Sequence, residues 1–443
     1  MALPSLAPLL DGRPFECAEH TTLSAVDGSP LATVADSPSL LVHLALRRVR
    51  GSGVPQDVFT RAGELFAEAE LAGETPELYC RRTAAATGLP SRFVADGLRS
   101  IRNGLSRFER ADAAQLPPPA AGVHWVARGR TLGVVTPSNH ADPHLVWARA
   151  LSWGYGVVVR PGARDPFTPY RLAAALLAAG LPAGGLALLP GGRQLTETLL
   201  RGADLGIVYG GPAAVDQWAA SGQVLTRGPG RSAALLDRPL TPQIADLLAH
   251  AVGADAGVRC ANTSVIRTSQ DVTTVAQEVA ARLDAMPALP ANHPDAVLPT
   301  VNAGHAEQIR RTLQRLDADG FKRHSASEGP VPLGDGSYTA RPVVLSTADS
   351  RHEAIGTEMP FPFVVVTPWS PADGLEVFGR TLVLTVLSDD ADLPRAALNE
   401  PLVRRVVAGP ADPWTSAPEL PHDGSLPGFL LEPKALLSGE LIP

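Results

Sequence analysis

Lysine is almost absent from this chain, because Lys322 and Lys434 are the only lysines in 443 residues and arginine supplies the remaining positive charge. Acidic groups outnumber basic ones, and the formal net charge at pH 7 is −7. A surface that binds nucleic acid or an anionic membrane needs a clustered positive field. The charge balance therefore argues against both kinds of partner.

Cysteine is also scarce, and Cys17, Cys80 and Cys260 form an odd, scattered set. Their spacing fits neither a disulfide framework nor a zinc site, so we expect no metal centre. No apolar run approaches the roughly 20 residues needed to span a bilayer, and the N-terminus lacks a basic segment followed by an apolar one. We therefore expect a cytoplasmic protein without membrane contact.

The composition is that of a folded protein with a large core, since 45% of the residues are hydrophobic and 19% are charged. The length predicts two or three domains. Short apolar runs alternate with helical stretches in one region of the chain. These runs are "LGVVT" (132–136), "GVVVR" (156–160), "GLALLP" (185–190) and "LGIVY" (205–209). The alternation predicts a parallel α/β sheet, and such sheets bind nucleotides beyond the carboxyl ends of their strands.

A second α/β region follows, with helices predicted near 241–252, 271–285 and 304–317. Further buried strands are predicted at "PVVLST", "FVVVTPW" and "LVLTVL". Residues 414–443 are rich in proline and glycine, and we expect them to form an extended tail.

Two glycines follow the fourth run, in "YGGPAAVDQW", where Gly210 and Gly211 precede a predicted helix. Glycine allows close approach of the backbone, and free amides at a helix N-terminus attract phosphate. Many strand-to-helix turns contain Gly-Gly for purely structural reasons. The pair is therefore either a coenzyme-binding turn or an ordinary one.

Asn139 follows the first run, in "VVTPSNHAD" (134–142). A side-chain amide at this end of a strand can donate a hydrogen bond to a developing oxyanion. The alternative is an asparagine that stabilises a turn or caps a helix. For the neighbouring His140 and His144 we favour ordinary roles as polar residues of a loop.

Cys260 lies in "GVRCANTS", after the small-residue stretch "GADAG". A thiolate is the strongest side-chain nucleophile near neutral pH, but a single cysteine is more often an inert core residue. Neither Asn139 nor Cys260 is decisive alone. Their order along the chain is more informative.

From about residue 124 to 430, the segments resemble the aldehyde dehydrogenase superfamily in order and spacing. "VVTPSNHADPHLVWARALSWGYGVVVRPG" is similar to the family's strand–Asn–helix–strand stretch, and "GVRCANTS" is similar to its nucleophile segment. "TEMPFPFVVV" (357–366) resembles "EEIFGPV", whose glutamate holds the nicotinamide ribose, and this places Glu358 in that role. The resemblance implies that Cys260 is the nucleophile and that the Asn139 side chain and the Cys260 amide bind the oxyanion.

The resemblance also implies an α/β architecture in three parts. We expect a Rossmann-type coenzyme domain at residues 1–224, which includes an N-terminal helical region. An α/β catalytic domain is expected at 225–406, and a return segment and tail that contribute to oligomerisation are expected at 407–443. Members of the family are commonly dimers or tetramers, so we expect a homodimer or homotetramer.

One segment departs from the family pattern. Hydrolytic members carry a glutamate in "LELGGKS" that activates water, whereas the matching stretch here is "LTRGPGRSAALLD" (225–237), with Arg227 in the glutamate's place. A cation cannot abstract a proton from water, so the step that releases a carboxylic acid loses its base. "GGP" (210–212) and "GPG" (228–230), with Trp218, resemble instead the coenzyme-A-acylating aldehyde dehydrogenases and the acyl reductases that supply aldehyde to bacterial luciferase. We therefore expect NAD(P)H-dependent reduction of an activated acyl group to an aldehyde through a thioacyl-cysteine, in secondary metabolism.

The coenzyme segment departs as well, because the family's "KPSE" becomes "RPGA" and Ala163 replaces the glutamate that binds the adenosine ribose. Loss of that carboxylate removes a repulsion against a 2′-phosphate, and Arg160 and Arg164 can supply positive charge for it. We therefore expect NADP(H) in preference to NAD(H), unless both arginines are merely solvated. Thr136 and Pro137 are expected to complete the coenzyme site together with the glycine pair described above.

Three hypotheses follow from the sequence. The first is acyl reduction, with the small-molecule acyl group presented by coenzyme A, a carrier protein or an acid-activating enzyme. The second is NAD(P)⁺-dependent oxidation of an aldehyde to a carboxylic acid with the help of another base, and the third is a non-catalytic scaffold. Arg227 favours the first over the second. The presence of Asn139, Cys260 and Glu358 together argues against the third.

Overall fold

Helices and strands alternate through both regions where the sequence predicts this pattern. The computed structural model describes residues 3–118, 120, 122–415, 417 and 419–437. Within these residues, no helix is long and apolar enough to cross a membrane. The α-helices are Ser39–Arg48, Gln56–Glu68, Pro76–Thr87, Ser91–Leu105, Phe108–Gln115, His144–Ser152, Phe167–Ala178, Arg193–Gly202, Pro212–Trp218, Pro242–Gly253, Val272–Asp284, Ala303–Ala318, Leu393–Leu398 and Leu426–Leu430.

The first sheet contains the four predicted apolar runs, which pair with one another in parallel as expected. The edge strand pairs in parallel with Leu205–Tyr209 and ends at Arg227, so this sheet extends past the expected domain boundary at residue 224. At the other edge, two short N-terminal strands are added in antiparallel fashion. In spatial order the strands are Val224–Arg227, Leu205–Tyr209, Thr131–Val135, Gly156–Arg160, Leu186–Leu188, Leu9–Leu10 and Arg13–Pro14.

The second sheet confirms the strands predicted in the later α/β region, and its central strands are again parallel. In spatial order its strands are Lys322–Arg323, Val343–Ser346, Phe363–Pro368, Val265–Thr268, Ala233–Asp237, Thr381–Ser388 and Val403–Ala408. Two smaller sheets consist of Ser5–Leu6, Pro30–Ala35 and His20–Ser24, and of Thr300–Asn302, Ser337–Ala340 and Pro330–Pro332.

Helices cover both faces of the first sheet, which explains why its strands are apolar at every position rather than at alternate ones. Val157 and Val159 are fully buried in one hydrophobic cluster, which also contains Trp147 and Leu172 from the covering helices. Val158, between them in sequence, is fully buried in a different cluster on the opposite face. Because both faces are packed, the open edge of this sheet lies at the carboxyl ends of the strands.

The C-terminal region differs from the extended tail that the sequence predicts. Leu426–Leu430 forms a short helix, and Leu431–Ala435 pairs in antiparallel fashion with Val123–Ala127. Pro427 and Gly428 lie within the helix and Pro433 lies within the strand, so these residue types do not prevent regular structure here, and the pairing strand lies far away in sequence. Residues 416, 418 and 438–443 of the predicted tail lie outside the described residues.

Candidate functional site

Cys260 is exposed, whereas Cys80 is buried in the core, so the two cysteines have different surroundings. The turn before Cys260 has an unusual backbone. Asp255, Ala256 and Gly257 have φ angles of 50°, 64° and 70°, which is the left-handed region that residues with a Cβ avoid. A Cβ on Gly257 would lie 2.4 Å from the Pro362 nitrogen, so this turn packs directly against the loop that follows Glu358.

Neighbouring residues fix the Cys260 loop from two sides. The Asn262 side chain donates to the carbonyls of Ala251 and Ala254 and accepts from the Arg259 amide. On the other side, Ser232 donates through its hydroxyl to the Cys260 carbonyl at 2.8 Å. These bonds hold the backbone in place and leave the sulfur free.

Gly230 packs against the same carbonyl, and a Cβ at this position would lie only 2.1 Å from the Cys260 oxygen. Gly228 is nearby in sequence, has a φ of +95°, and would place a Cβ 2.8 Å from the Gly210 oxygen. The "GPG" motif therefore needs its glycines because it packs against both the "GGP" turn and the Cys260 loop.

Asn139 lies against the Cys260 loop. Its Nδ2 donates to the Val258 carbonyl at 2.7 Å, although the two residues are 119 positions apart in sequence. An asparagine amide has two N–H groups, so one remains available after this bond. Among the described residues, the Cys260 amide donates to no acceptor.

Glu358 also belongs to this cluster. Its carboxylate accepts hydrogen bonds from the Gly230 amide at 3.2 Å and from the Arg231 amide at 2.7 Å. Arg231 has a φ of 47°, so a third left-handed residue other than glycine lies beside the site, after Asp255 and Ala256. Burial by surrounding atoms raises the pKa of Glu358, and the two backbone bonds oppose this rise.

The electrostatic surroundings of Cys260 disfavour its thiolate. Although the residue is exposed, surrounding protein atoms reduce the hydration of its sulfur, and the negative charges of Glu358 and Asp423 add to this effect. Together they raise the pKa of the Cys260 thiol to about 11, against the opposing positive charges of Arg259 and Arg405. At neutral pH the group is therefore a thiol unless another contact stabilises its anion.

His422 contacts the Cys260 sulfur, and the sequence did not predict this residue. Its Nε2 lies 3.7 Å from the Cys260 sulfur, and its Nδ1 lies 3.5 Å from Nη1 of Arg405. Desolvation, followed by the positive charge of Arg405, lowers the pKa of His422 to about 4. The only sequence feature that could have indicated this residue is a single histidine in a proline- and glycine-rich segment, which is too weak to identify a site.

Arg227, which the resemblance places at the position of the family's water-activating glutamate, is buried at 8% exposure. Its Nη1 lies 3.0 Å from Oδ2 of Asp423 and also donates to the Asp423 carbonyl. Arg227 faces the segment that carries His422. The side of the Cys260 site nearest this segment therefore holds a positive charge that is paired with Asp423.

The loops after the first two parallel strands are bonded to each other at the open edge of the first sheet. The Thr136 hydroxyl accepts from the Gly162 amide at 3.1 Å, and the Ser138 hydroxyl accepts from the amides of Arg164 and Asp165. A Cβ on Gly162 would lie 2.6 Å from the Pro137 oxygen, so glycine is required where the loops meet.

The arginines and glycines predicted for the coenzyme site lie around this edge. Arg160 donates from its Nε to the Gly191 carbonyl at 2.9 Å. Desolvation lowers the pKa of Arg164, whose guanidinium has no acceptor among the described residues. A Cβ on Gly211 would meet no atom within 4 Å, whereas one on Gly210 would lie 2.7 Å from the Ala214 Cβ. The strand end at Gly211 is therefore open.

The expectation that His140 and His144 are ordinary loop residues is wrong for His144. His144 is the first residue of a helix and is fully buried, and Trp147 Nε1 donates to its Nδ1 at 3.0 Å. Burial lowers the pKa of His144 to about 3. His140 does lie in the loop, where its Nδ1 accepts from the Asp142 amide.

Known proteins resemble this chain in sequence and in fold. The aldehyde dehydrogenase family model matches residues 131–376. Among curated proteins, malonate-semialdehyde dehydrogenase 2 of Geobacillus thermodenitrificans is 28% identical over 260 residues, which cover 54% of this chain and 52% of the relative. Malonate-semialdehyde dehydrogenase 1 of the same organism is 31% identical over 244 residues, which cover 50% and 49%. The chain thus spans about half the length of the curated relatives that it matches.

Solved structures match over nearly the whole length. An indole-3-acetaldehyde dehydrogenase in complex with NAD⁺ has a TM-score of 0.81 at 17% identity, covering 97% of this chain and 96% of the other. An aldehyde dehydrogenase from Bacillus cereus in complex with NAD⁺ has a TM-score of 0.81 at 14% identity, with 98% and 96% coverage. At these identities the likeness establishes the fold. Together with the family match over more than half of the chain, it shows that this protein belongs to the aldehyde dehydrogenase family.

Proposed function

We propose that this protein is an NAD(P)-dependent oxidoreductase that oxidises an aldehyde through a covalent adduct on Cys260. The observation that carries the proposal is the meeting of an exposed Cys260 with Asn139 and Glu358, from three distant parts of the chain. The names of the curated relatives, which are semialdehyde dehydrogenases, support oxidation as the direction.

The proposed reaction begins with Cys260. The thiolate sulfur attacks the aldehyde carbon, a C–S bond forms, and the carbonyl electron pair moves to oxygen. The free N–H of Asn139 and the unpaired amide of Cys260 stabilise this oxyanion. When the carbonyl re-forms, hydride leaves the carbon and a thioester remains on the sulfur. The acyl group then passes to water, with a base other than Arg227, or to the thiol of coenzyme A, and the C–S bond breaks to release the Cys260 thiolate. When bound, the nicotinamide coenzyme supplies the hydride acceptor in this direction and the hydride donor in the reverse direction.

The open edge of the first sheet fits a dinucleotide coenzyme. The strand end at Gly211 is unobstructed, and parallel sheets bind nucleotides at this edge. We propose that the coenzyme is held by Thr136, Pro137, Gly210 and Gly211. Glu358 binds its nicotinamide ribose in this proposal.

The expected preference for NADP(H) remains part of the proposal. It is supported by the exposed Ala163, which adds no carboxylate, and by the Arg164 guanidinium without an acceptor among the described residues. Arg160 contributes less to it, because its side chain is already bonded to Gly191.

Reduction of an activated acyl group is the second candidate, and the Arg227–Asp423 ion pair favours it. Release of a carboxylic acid needs a base for water, but the position of the family's glutamate holds a cation. In this candidate reaction the Cys260 thiolate displaces a thiol or another leaving group from the activated acid. Hydride then adds to the thioacyl carbon, and the thiohemiacetal releases an aldehyde as the C–S bond breaks.

Product analysis in both directions tests the proposal. The protein is incubated with NAD⁺ or NADP⁺ and an aldehyde panel that includes malonate semialdehyde, with and without coenzyme A, and the acid and thioester products are quantified. In parallel it receives NADPH or NADH with acyl-coenzyme A substrates, and aldehyde is measured. Oxidation that is abolished by Cys260→Ala supports the first candidate. Thioester reduction without oxidation supports the second, and no turnover in either direction supports the scaffold hypothesis.

The homo-oligomer expected from the resemblance also remains a proposal. Leu436 and Leu437 are 61% and 74% exposed and follow the strand that pairs with Val123–Ala127. Two adjacent exposed leucines at the end of a strand are consistent with a contact between copies of the chain. Light scattering after gel filtration would measure the mass in solution.

A further inference from the structure

We propose that neutral His422 donates the hydrogen on its Nε2 to the Cys260 sulfur and thereby stabilises the thiolate that attacks the substrate. The proposal rests on the proposed function in taking Cys260 as the nucleophile. It assigns a catalytic hydrogen-bond donor in the C-terminal segment, at a position outside the motifs that identify the family.

The tautomer of His422 follows from its two neighbours. Nδ1 faces the Arg405 guanidinium at 3.5 Å, and a guanidinium can only donate. Nδ1 must therefore accept, and the single proton of a neutral imidazole must be on Nε2. This nitrogen is the one that lies 3.7 Å from the Cys260 sulfur. The N–H group is thus directed towards the sulfur.

A role for His422 as a base fits the same contacts poorly. Nε2 could take the thiol proton only if the neutral ring carried its hydrogen on Nδ1. In that tautomer an N–H of His422 would face the N–H groups of Arg405, and neither partner could accept. Arg405 is itself fixed, because it is buried and its Nη2 donates to the Pro413 carbonyl.

The charges around the ring support a neutral donor. Desolvation has the largest effect and disfavours the imidazolium, and the positive charges of Arg405 and Arg227 act in the same direction, whereas Asp423 and Asp142 favour the imidazolium. The resulting pKa of about 4 leaves the ring uncharged at neutral pH.

The sulfur is surrounded by groups of both signs. The charged groups that act on the thiol are Glu358, Asp423, Arg259 and Arg405. The neighbouring Tyr209 hydroxyl also interacts electrostatically with the sulfur. Desolvation and the negative groups outweigh the two arginines and disfavour the thiolate. A hydrogen bond donated by His422 opposes this effect because it stabilises the anion.

The proton balance of this step is simple. The Cys260 thiol loses its proton to solvent, which reaches the exposed sulfur, and His422 keeps its own proton throughout. When the C–S bond forms, the sulfur loses its negative charge and the hydrogen bond weakens. When the adduct later breaks down, the sulfur leaves with the electron pair of the C–S bond. The same N–H then donates to the thiolate again.

Alkylation of Cys260 in the intact protein tests the proposal without any substrate. The rate of iodoacetamide modification is measured by mass spectrometry from about pH 6 to about pH 11. Three proteins are compared: wild type, His422→Gln, which retains an N–H near the Nε2 position and cannot titrate, and His422→Ala, which has no donor. Cys17 and Cys80 are internal controls within each sample.

Below the thiol pKa the rate follows the thiolate fraction, so we expect the wild-type rate to rise steadily with pH, a similar profile in His422→Gln, and about tenfold slower modification at each pH in His422→Ala, the effect of losing a hydrogen bond to a charged group. An unchanged rate in His422→Ala overturns the proposal. So does wild-type reactivity that persists on the acid side of neutrality, because this indicates a thiolate–imidazolium pair. The wild-type profile decides even where a variant does not fold.

Turnover is a separate measurement that distinguishes this inference from the proposed function. If His422→Ala changes the reactivity of the thiol but the wild type shows no coenzyme-dependent turnover, the donor role stands and the proposed activity is wrong. If turnover depends on Cys260 but the thiol reactivity of His422→Ala is unchanged, only the donor role is wrong.

Discussion

The Arg227 guanidinium and the Asp423 carboxylate lie 3.0 Å apart and join the edge strand of the first sheet to the C-terminal segment. Their side chains are only 9% and 21% exposed, so this ion pair is more enclosed than a surface pair. Replacing one partner leaves the other charge partly buried and unpaired, which costs more than the pair itself contributes. The pair is therefore a structural link as well as part of the charge pattern around Cys260.

Asp423→Asn is expected to lower the free energy of unfolding by about 2 kcal/mol, because Arg227 loses its charged partner. Urea denaturation at pH 7 measures the change. The matched control is Glu307→Gln, which breaks an ion pair with Arg311 whose side chains are 51% and 74% exposed. Pairs of this kind contribute about 0.5 kcal/mol. Equal effects of the two substitutions would contradict the structural role of the Arg227–Asp423 pair.

Gly230→Ala is expected to displace the Cys260 loop, since its Cβ would lie 2.1 Å from the Cys260 oxygen. A clash of this kind costs about 1–3 kcal/mol and should also slow alkylation of the thiol. Gly222→Ala is the control, because a Cβ there would meet no atom within 4 Å. Thermal denaturation and thiol reactivity are measured for both. Normal thiol reactivity in Gly230→Ala would show that the contact is not restrictive.

Asn139→Ala is expected to reduce kcat by about 10²–10³-fold, the effect of removing one oxyanion donor, with little loss of stability. Asn262→Ala provides the contrast, because Asn262 braces the loop through bonds to Ala251, Ala254 and Arg259. Its removal should lower the free energy of unfolding by about 2 kcal/mol. Steady-state kinetics and denaturation are run on both variants. A large fall in stability with unchanged kcat in Asn139→Ala would mean that its amide serves only the bond to Val258.

Arg164→Ala is expected to reduce kcat/KM for NADP(H) by about tenfold and to change that for NAD(H) little, because only the former carries a 2′-phosphate. The ratio of the two kcat/KM values in the wild type and the variant is the measurement. Arg160→Ala is the comparison, and we expect a smaller change in the ratio because Arg160 is already bonded to Gly191. An unchanged ratio in Arg164→Ala would place the adenosine elsewhere.

Acidification below about pH 6.5 is expected to destabilise the protein through His144. Burial lowers its folded pKa to about 3, so between that value and the ordinary one the unfolded chain binds the extra proton. The stability that this group contributes is complete above about pH 6.5 and falls by about 2 kcal/mol by pH 5. His144→Gln keeps an acceptor for Trp147 and should show a smaller loss between these pH values in urea denaturation. His43→Gln, at an exposed helix position, should retain the wild-type dependence.

The parallel strands and the helices of both α/β regions could be predicted from sequence because their apolar runs are continuous. The meeting of Asn139 and Cys260 could be predicted only through resemblance, since no periodicity relates residues that are 121 positions apart. His422 could not be predicted in either way. Its contact with Cys260 spans 162 positions and depends on the return of the C-terminal segment. The polarity of His144 predicts a loop residue, whereas the structure buries it in the core, where Trp147 donates to its Nδ1 and its Nε2 has no hydrogen-bond partner among the described residues.

The pairing of Leu431–Ala435 with Val123–Ala127 has a mechanical consequence. The segment that carries His422 leaves the second sheet after Val403–Ala408 and ends on a strand that leads into the first sheet. It is thus tethered at both ends to different halves of the molecule. A rotation of one half relative to the other would therefore act on this tether and on the spacing between the imidazole and the sulfur.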